Sequence, residues 1–518
     1  MPSYLTPGVY IEEVPSGGAT LAAGLTAVAA FVGYTESHPT DDPSDPRGLK
    51  PRLVTSWAQY ESLYGGFVNG AMLPHSVYGF FNNGGGMAYI VRVQHREPSE
   101  EPGQLALPAV DRALGQPLEI TSVGPADGIS VLIDGGSEVD EGEMPLFNLT
   151  VERDGEEVES FVDVSLADVE STVNATSQAV QVSVALDTSS LEDPSLAQVK
   201  AGAYAVTPAE PLPVDVRPKD FVGNESDRVG INGLVIADEV TMVIVPDLVT
   251  AATKEDGSVD LGMWKAVQTA LITHCELQAN RLAVLDAPPG MNPQQIKEWR
   301  SDTAMYDSAF AAFYYPWIKV DNPLTSGPAD AEIMVPPSGH IAGVWSRVDD
   351  TRGVWKAPAN EVVRGALSTE LDITKGEQAL LNPIGVNCIR PFGTRGIRVW
   401  GARTLASDTD WTYVNVRRLF NMIETAIMDG TQFAVFEPND QKLWAGLNRT
   451  ISSFLRGLWR DGALFGATAE QAFFVKCDAE TNPPDSIDQG KVVVEVGIAP
   501  VKPAEFVIFR ISQFKQSA

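Results

Sequence analysis

The chain predicts an α/β (α+β) multidomain fold, with helix-covered mixed sheets, an inserted antiparallel β domain and extended N- and C-terminal strand arms. Three observations predict it. Continuous apolar runs alternate with helical stretches in two separate parts of the chain, as buried strands and their covering helices do. Between those parts the composition changes abruptly. Both ends alternate side chains with period two beside proline and glycine, the mark of strands.

Residues 1–20 read as an arm, in which Pro7-Gly8-Val9-Tyr10-Ile11-Glu12-Glu13-Val14 alternates before Pro15-Ser16-Gly17-Gly18. Residues 21–96 read as the first part of an α/β core. A strand is expected at Ala27–Val32, helices at Ser56–Tyr64 and Leu73–Asn82, and a strand at Met87–Val93. Asn83-Gly84-Gly85-Gly86 lacks the Lys-Ser or Lys-Thr of a phosphate loop and reads as a tight turn.

Residues 97–215 hold 24 acidic and 3 basic residues and no tryptophan. Short strands at Ile129–Ile133, Phe147–Val151 and Val180–Val184 predict an antiparallel insertion with a solvated face. Residues 216–390 return to α/β alternation. Strands are expected at Thr241–Asp247, Arg281–Asp286 and Phe313–Ile318, with helices at Trp264–Asn280 and from Asn292 to Arg300. Residues 391–490 form a further α/β domain, and residues 491–518 a second arm, with strands at Lys491–Gly497 and Glu505–Ile511.

The formal net charge of −31 argues against nucleic acid as the main partner. Three scattered cysteines, Cys275, Cys388 and Cys477, make no disulfide framework and suit a reducing compartment. No basic leader opens the chain, and no apolar run is long enough to span a bilayer. The five histidines show no metal-ligand spacing, and Ser338-Gly339-His340 has no nucleophile-elbow context. No residues are assigned catalytic, cofactor or metal roles.

Two features point to assembly instead. A terminal strand on a hinge has unpaired backbone groups that a second copy can pair. The candidate inter-subunit residues are Val9, Tyr10, Ile11, Val14, Val493, Val494, Phe506 and Ile508. The alternative is that both ends complete their own subunit's sheet. Second, Arg390–Arg460 carries ten basic and six acidic residues. Within it, Gln441–Asp461 sets Leu443, Leu447, Ile451, Phe454 and Leu458 on one stripe. Lys442, Arg449, Arg456 and Arg460 lie nearly opposite, either as a solvated face or as a docking row for an acidic partner.

The arm Pro7–Glu13 resembles that of contractile tail sheath proteins of bacteriophages and phage-like contractile injection systems. So do Phe80–Val93, Pro336–Gly343 with Arg352–Asn360, Arg395–Leu405 and Tyr413–Leu419, in family order. The resemblance implies a helical homo-polymer around an inner tube protein, ended by baseplate and terminal cap proteins. Its arms would add strands to neighbouring subunits, and contraction would drive the tube outward through a target envelope. It implies no cofactor, no nucleic acid and no membrane insertion, with assembly in the cytoplasm and release by lysis. Lys442, Arg449, Arg456 and Arg460 would then face the tube. The competing reading is a hydrolase of surface polymers, or a cell-surface binding protein using the β insertion.

Overall fold

In this computed structural model the described residues are 21 and 24–510, apart from 40, 95, 98–101, 111–113, 127, 141–142, 154, 187–192, 194–195, 197, 207–211, 214 and 326–330. The chain divides into two compact units, Met1–Val93 with Val216–Ala518, and Gln94–Asp215.

The larger unit is organised by a sheet of nine strands among the described residues. These are β1 (Val28–Gly33), β2 (Arg52–Val54), β3 (Met87–Arg92), β4 (Met242–Ile244), β5 (Leu282–Asp286), β6 (Ala311–Tyr315), β7 (Glu361–Val362), β8 (Val386–Pro391) and β9 (Ile397–Val399). Their order is β7-β9-β8-β6-β5-β4-β1-β3-β2. The six strands from β8 to β3 are parallel. Antiparallel strands finish both edges.

Successive residues point to opposite faces, so the central strands must be apolar throughout. Val28, Ala30, Val32, Val243, Leu285 and Phe313 enter one core. Ala29, Phe31, Met242, Ile244, Val284 and Tyr314 enter the other. The run expected at Phe313–Ile318 is divided. β6 ends at Tyr315, and Ile318–Asp321 joins a separate three-stranded sheet. Pro316, which lacks an N–H, stands between them.

Helix α2 (Leu261–Gln278) contributes Trp264, Val267, Leu271 and Cys275 to the first core. Helices α1 (Leu73–Asn83) and α3 (Ser338–Arg352) supply the second with Val77, Phe80, Ile341, Val344 and Trp345. Buried carboxyls at the ends of the sheet meet the N-termini of these helices. Asp247 accepts from the N–H groups of Tyr34, Met72 and Leu73, and Asp286 from the N–H and hydroxyl of Ser338.

Helices α1 and α3 touch backbone to backbone. A Cβ on Gly343 would lie 2.4 Å from the Phe80 carbonyl oxygen, and one on Gly339 would lie 2.5 Å from that of Ser76. This contact seals in His75 and His340. The Nε2 of His75 and the Nδ1 of His340 find no hydrogen-bond partner among the described residues.

The C-terminal part adds α4 (Val414–Gly430), α5 (Gln441–Arg460) and a hairpin of β10 (Phe473–Lys476) with β11 (Glu495–Ile498). Leu21, Leu419, Ile423, Ile451, Leu455, Leu458 and Phe473 form its core. Asp440 caps α5 by accepting from the Leu443 N–H.

The second unit is antiparallel. Its three-stranded sheet runs Val180–Val184, Leu118–Ser122, Gln104–Leu107. A four-stranded sheet runs Gly202–Ala205, Ile129–Gly135, Phe147–Arg153, Glu156–Val164. Ile120, Val131, Ile133, Leu149 and Val151 fill its core. Leu212–Pro213 pairs antiparallel with Arg96–Glu97.

Burial lowers the pKa of His75 to about 4, and burial together with the charge on His75 lowers that of His340 to about 4. The unfolded chain therefore binds more protons at these sites between about pH 4 and 6.5, and their contribution to stability falls as pH drops through that window. Asp247 and Asp286, which burial pushes up to about 7, act in the opposite sense. A comparison of variant with parent isolates the histidines. The loss of melting temperature between about pH 7 and 5 should be smaller in His340→Gln than in the parent.

Candidate interaction surfaces

Both ends of the described chain are fastened to the first two turns of α4. Arg418 pairs with Asp349 at 2.5 Å, with the two side chains 3% and 4% exposed. Arg418 also donates to the Thr26 carbonyl at 2.9 Å and lies 4.8 Å from the Trp345 ring centre. Asn415 donates to the carbonyls of Trp355 and Val501.

Glu505 is gripped by three side chains through four hydrogen bonds. Arg403 reaches it through two nitrogens at 2.6 and 3.0 Å, Asn382 donates at 2.7 Å and the Tyr413 hydroxyl donates at 3.2 Å. Burial alone would raise the Glu505 carboxyl. The hydrogen bonds from Arg403 and Asn382 outweigh it and hold the group below the usual carboxylate range. Beyond this anchor the chain leaves the surface. Phe506, Val507, Ile508 and Phe509 are 69–83% exposed.

The expected arm strands are placed as follows. Val9, Tyr10, Ile11 and Val14 lie outside the described residues. The strand expected over Lys491–Gly497 occupies Glu495–Ile498 and pairs within its own chain, with β10. Val493 precedes it, its N–H and carbonyl both held by the Asn482 side chain. Val494 packs against the C-terminal core. Phe506 and Ile508 are exposed, and Glu505–Arg510 forms no strand. The hairpin has only two strands, so each has one outer edge with no ladder among the described residues.

On α5, Leu443, Leu447, Ile451 and Leu458 are buried, Phe454 is half-buried, and Leu455 joins them. Lys442, Arg449, Arg456 and Arg460 are all exposed, on a helix without an acidic residue. Sequence reasoning missed the Glu505 anchor, since its three partners lie 92 to 123 residues away. Among the described residues, no group of three or more His, Cys, Asp or Glu is arranged to hold a metal. No helix among them is long and apolar enough to cross a membrane.

Residues 239–405 match the phage tail sheath protein central domain, and residues 406–514 the phage tail sheath C-terminal domain. The chain is 26% identical over 253 residues to a putative prophage major tail sheath protein of Pseudomonas aeruginosa, covering 48% of this chain and 61% of that protein. It is 28% identical over 182 residues to the tail sheath protein of Vibrio phage KVP40, covering 34% of this chain and 26% of that one. The matches thus span between a quarter and three fifths of these relatives. In structure it is similar to the contracted PVC sheath of an extracellular contractile injection system, with TM-score 0.57, 26% identity and 99% of each chain covered. It is also similar to the contracted helical sheath of the anti-feeding prophage, with TM-score 0.58, 25% identity, and 99% and 100% covered.

Replacing Glu505 by Ala removes a charged acceptor of several hydrogen bonds, each worth about 1.5–3 kcal/mol. Amide exchange at Val501, whose N–H donates to the Ala463 carbonyl, should speed up by about tenfold or more, while α2 and α3 are unaffected. Equal exchange in variant and parent would show that Glu505 does not hold the tail.

Proposed function

Since the chain belongs to the phage tail sheath family, we propose that it is the repeating subunit of a contractile sheath. It polymerises around an inner tube and shortens to drive that tube outward. The observation that carries this reading is the tail beyond Glu505. Four large apolar residues in a row are left in water directly after an anchor that fixes where they start. Burying a Phe, Val or Ile side chain gains roughly 1.5–3 kcal/mol, so a receiving surface on another copy returns several kcal/mol per subunit.

The outer edges of the hairpin offer such a surface. An extended segment added there gains main-chain hydrogen bonds along its length, and alternate pockets select its side chains. In this reading Val9, Tyr10, Ile11 and Val14 of one neighbour, and Phe506 and Ile508 of another, extend the β10–β11 sheet. Val493 and Val494 hold that sheet's own edge in place.

Lys442, Arg449, Arg456 and Arg460 serve as the row that meets the inner tube. Each exposed pair contributes only about 0–1 kcal/mol, but repetition along a polymer sums such terms and fixes register. Contraction needs no nucleotide. Two arrangements of the contacts between subunits that differ by a few kcal/mol per copy store the required energy, released once a trigger tips the first ring. A baseplate at one end and a cap at the other bound the polymer. Assembly takes place in the cytoplasm, and no catalytic step is assigned to the chain.

Deleting residues 1–15 should leave a subunit that melts like the parent but forms no sleeves in electron micrographs; sleeves of ordinary length would refute the arm's role. Replacing Lys442, Arg449, Arg456 and Arg460 together by Glu should abolish co-sedimentation with the tube protein at low salt while self-assembly persists. Undiminished co-sedimentation would move the tube contact elsewhere.

A further inference from the structure

The loop between α4 and α5 carries a side chain that the fold leaves out. Phe436 is fully exposed, at 102% of its reference area, and its φ is +68°. A bulky residue is strained in the left-handed region, and an aromatic ring in water gains nothing from burial. The loop is nonetheless tied down. The Glu437 N–H donates to the Ala434 carbonyl, and the Val435 N–H to that of Gln432. Asn439 donates to the Lys491 carbonyl at 2.9 Å and accepts from the Trp444 indole at 2.8 Å. Phe433 and Val435 are exposed beside it. A rigid, strained, outward aromatic is how an interface anchor looks before its partner arrives.

At the other end of α5 lies a groove of about 1290 Å³, reached by the helix's C-terminal cap residue Asp461. Trp355, Lys356, Arg390, Phe392 and Trp400 line it. The Phe392 and Trp400 ring centres are 4.4 Å apart, and the Arg390 guanidinium lies 5.6 Å from the Phe392 ring centre. The Arg390 Nη1 donates to Gln378, which holds the guanidinium in place beside the rings. Arg352, Lys375 and Lys502 also line it, against the carboxylates of Asp461 and of Glu505, the latter already held by Arg403. The groove is thus aromatic with an excess of cations, suited to an aromatic ring followed by a carboxylate. Phe436-Glu437 is that pair.

The 20 residues of α5 span about 30 Å and separate loop from groove. One copy's Phe436 thus lies too far along the helix to reach its own groove. Two unlike, complementary patches at opposite ends of an element make a head-to-tail contact, which propagates into a filament when it does not close into a ring. We propose that Phe436 of one copy, followed by Glu437, seats in the groove lined by Trp355, Phe392, Trp400 and Arg390 of the next. This rests on the sheath-polymer reading and adds to the strand arms a contact between the folded bodies.

Two measurements test it on the full chain. Phe436→Gly removes the ring and relieves the backbone, so the subunit's melting temperature should hold or rise. The concentration needed for polymerisation should increase about tenfold or more. In the second, Phe436→Cys is mixed with Ala379→Cys, an exposed groove position, and treated with a short bis-maleimide after assembly. The native cysteines are buried. Linked dimers should exceed those from Phe436→Cys mixed with the exposed Ser62→Cys. Polymers that form at the parent's threshold with Phe436→Gly, or that link no better than this control, would overturn the contact while the sheath reading stands. A link from position 436 to added tube protein instead would overturn it in favour of a tube contact. A parent chain that never polymerises would remove both.

Discussion

Arg418 and Asp349 fasten the C-terminal helices to the α/β core. A pair this deeply buried contributes little net stability against an apolar alternative, but losing one partner costs about 3–5 kcal/mol because a charge is stranded. Its value here is positional. The guanidinium is shared between Asp349 on α3, the Trp345 ring and the Thr26 carbonyl, so three chain segments must be in register before it is satisfied. One turn away, Tyr413 and Asn415 hold Glu505 and Val501. Both extremities of the folded chain thus leave from the same few residues of α4.

In the proposed polymer, joined through those extremities, a pull on either end would arrive at this turn first. The sheet behind it is shielded, because its helices are locked by contacts with no slack. Gly339 and Gly343 bring α3 onto α1 at backbone distance, and Asp247 and Asp286 seat the helix N-termini. A core that does not yield is what a two-state lattice requires. Subunits must be able to rotate against each other without their own cores absorbing the change.

Where both faces of a strand are covered, the sequence has to be apolar at every position, so β1, β4 and β5 were legible as runs. The division of α5 into a buried and a cationic face was equally legible, because a 20-residue helix repeats its pattern over several turns. What was not legible depends on distant partners. The strand expected at Lys491–Gly497 shifted to Glu495–Ile498 because Asn482 captures the backbone of Val493 and β10 pairs only with the later residues. Glu505 read as one residue of a strand and is instead a clamp for Arg403. The left-handed backbone of Phe436 has no signal in composition or period. The cationic row shows only that a face is charged, since the same pattern serves a solvated helix.

The short pairing of Arg96–Glu97 with Leu212–Pro213 brings the entrance and exit of the inserted unit side by side. Directly paired antiparallel residues have Cα atoms only about 5 Å apart, so a spacer of a few residues would close the gap if the unit were taken out. Exchanging one module for another there would leave only that short gap to be joined, without re-threading the chain on either side.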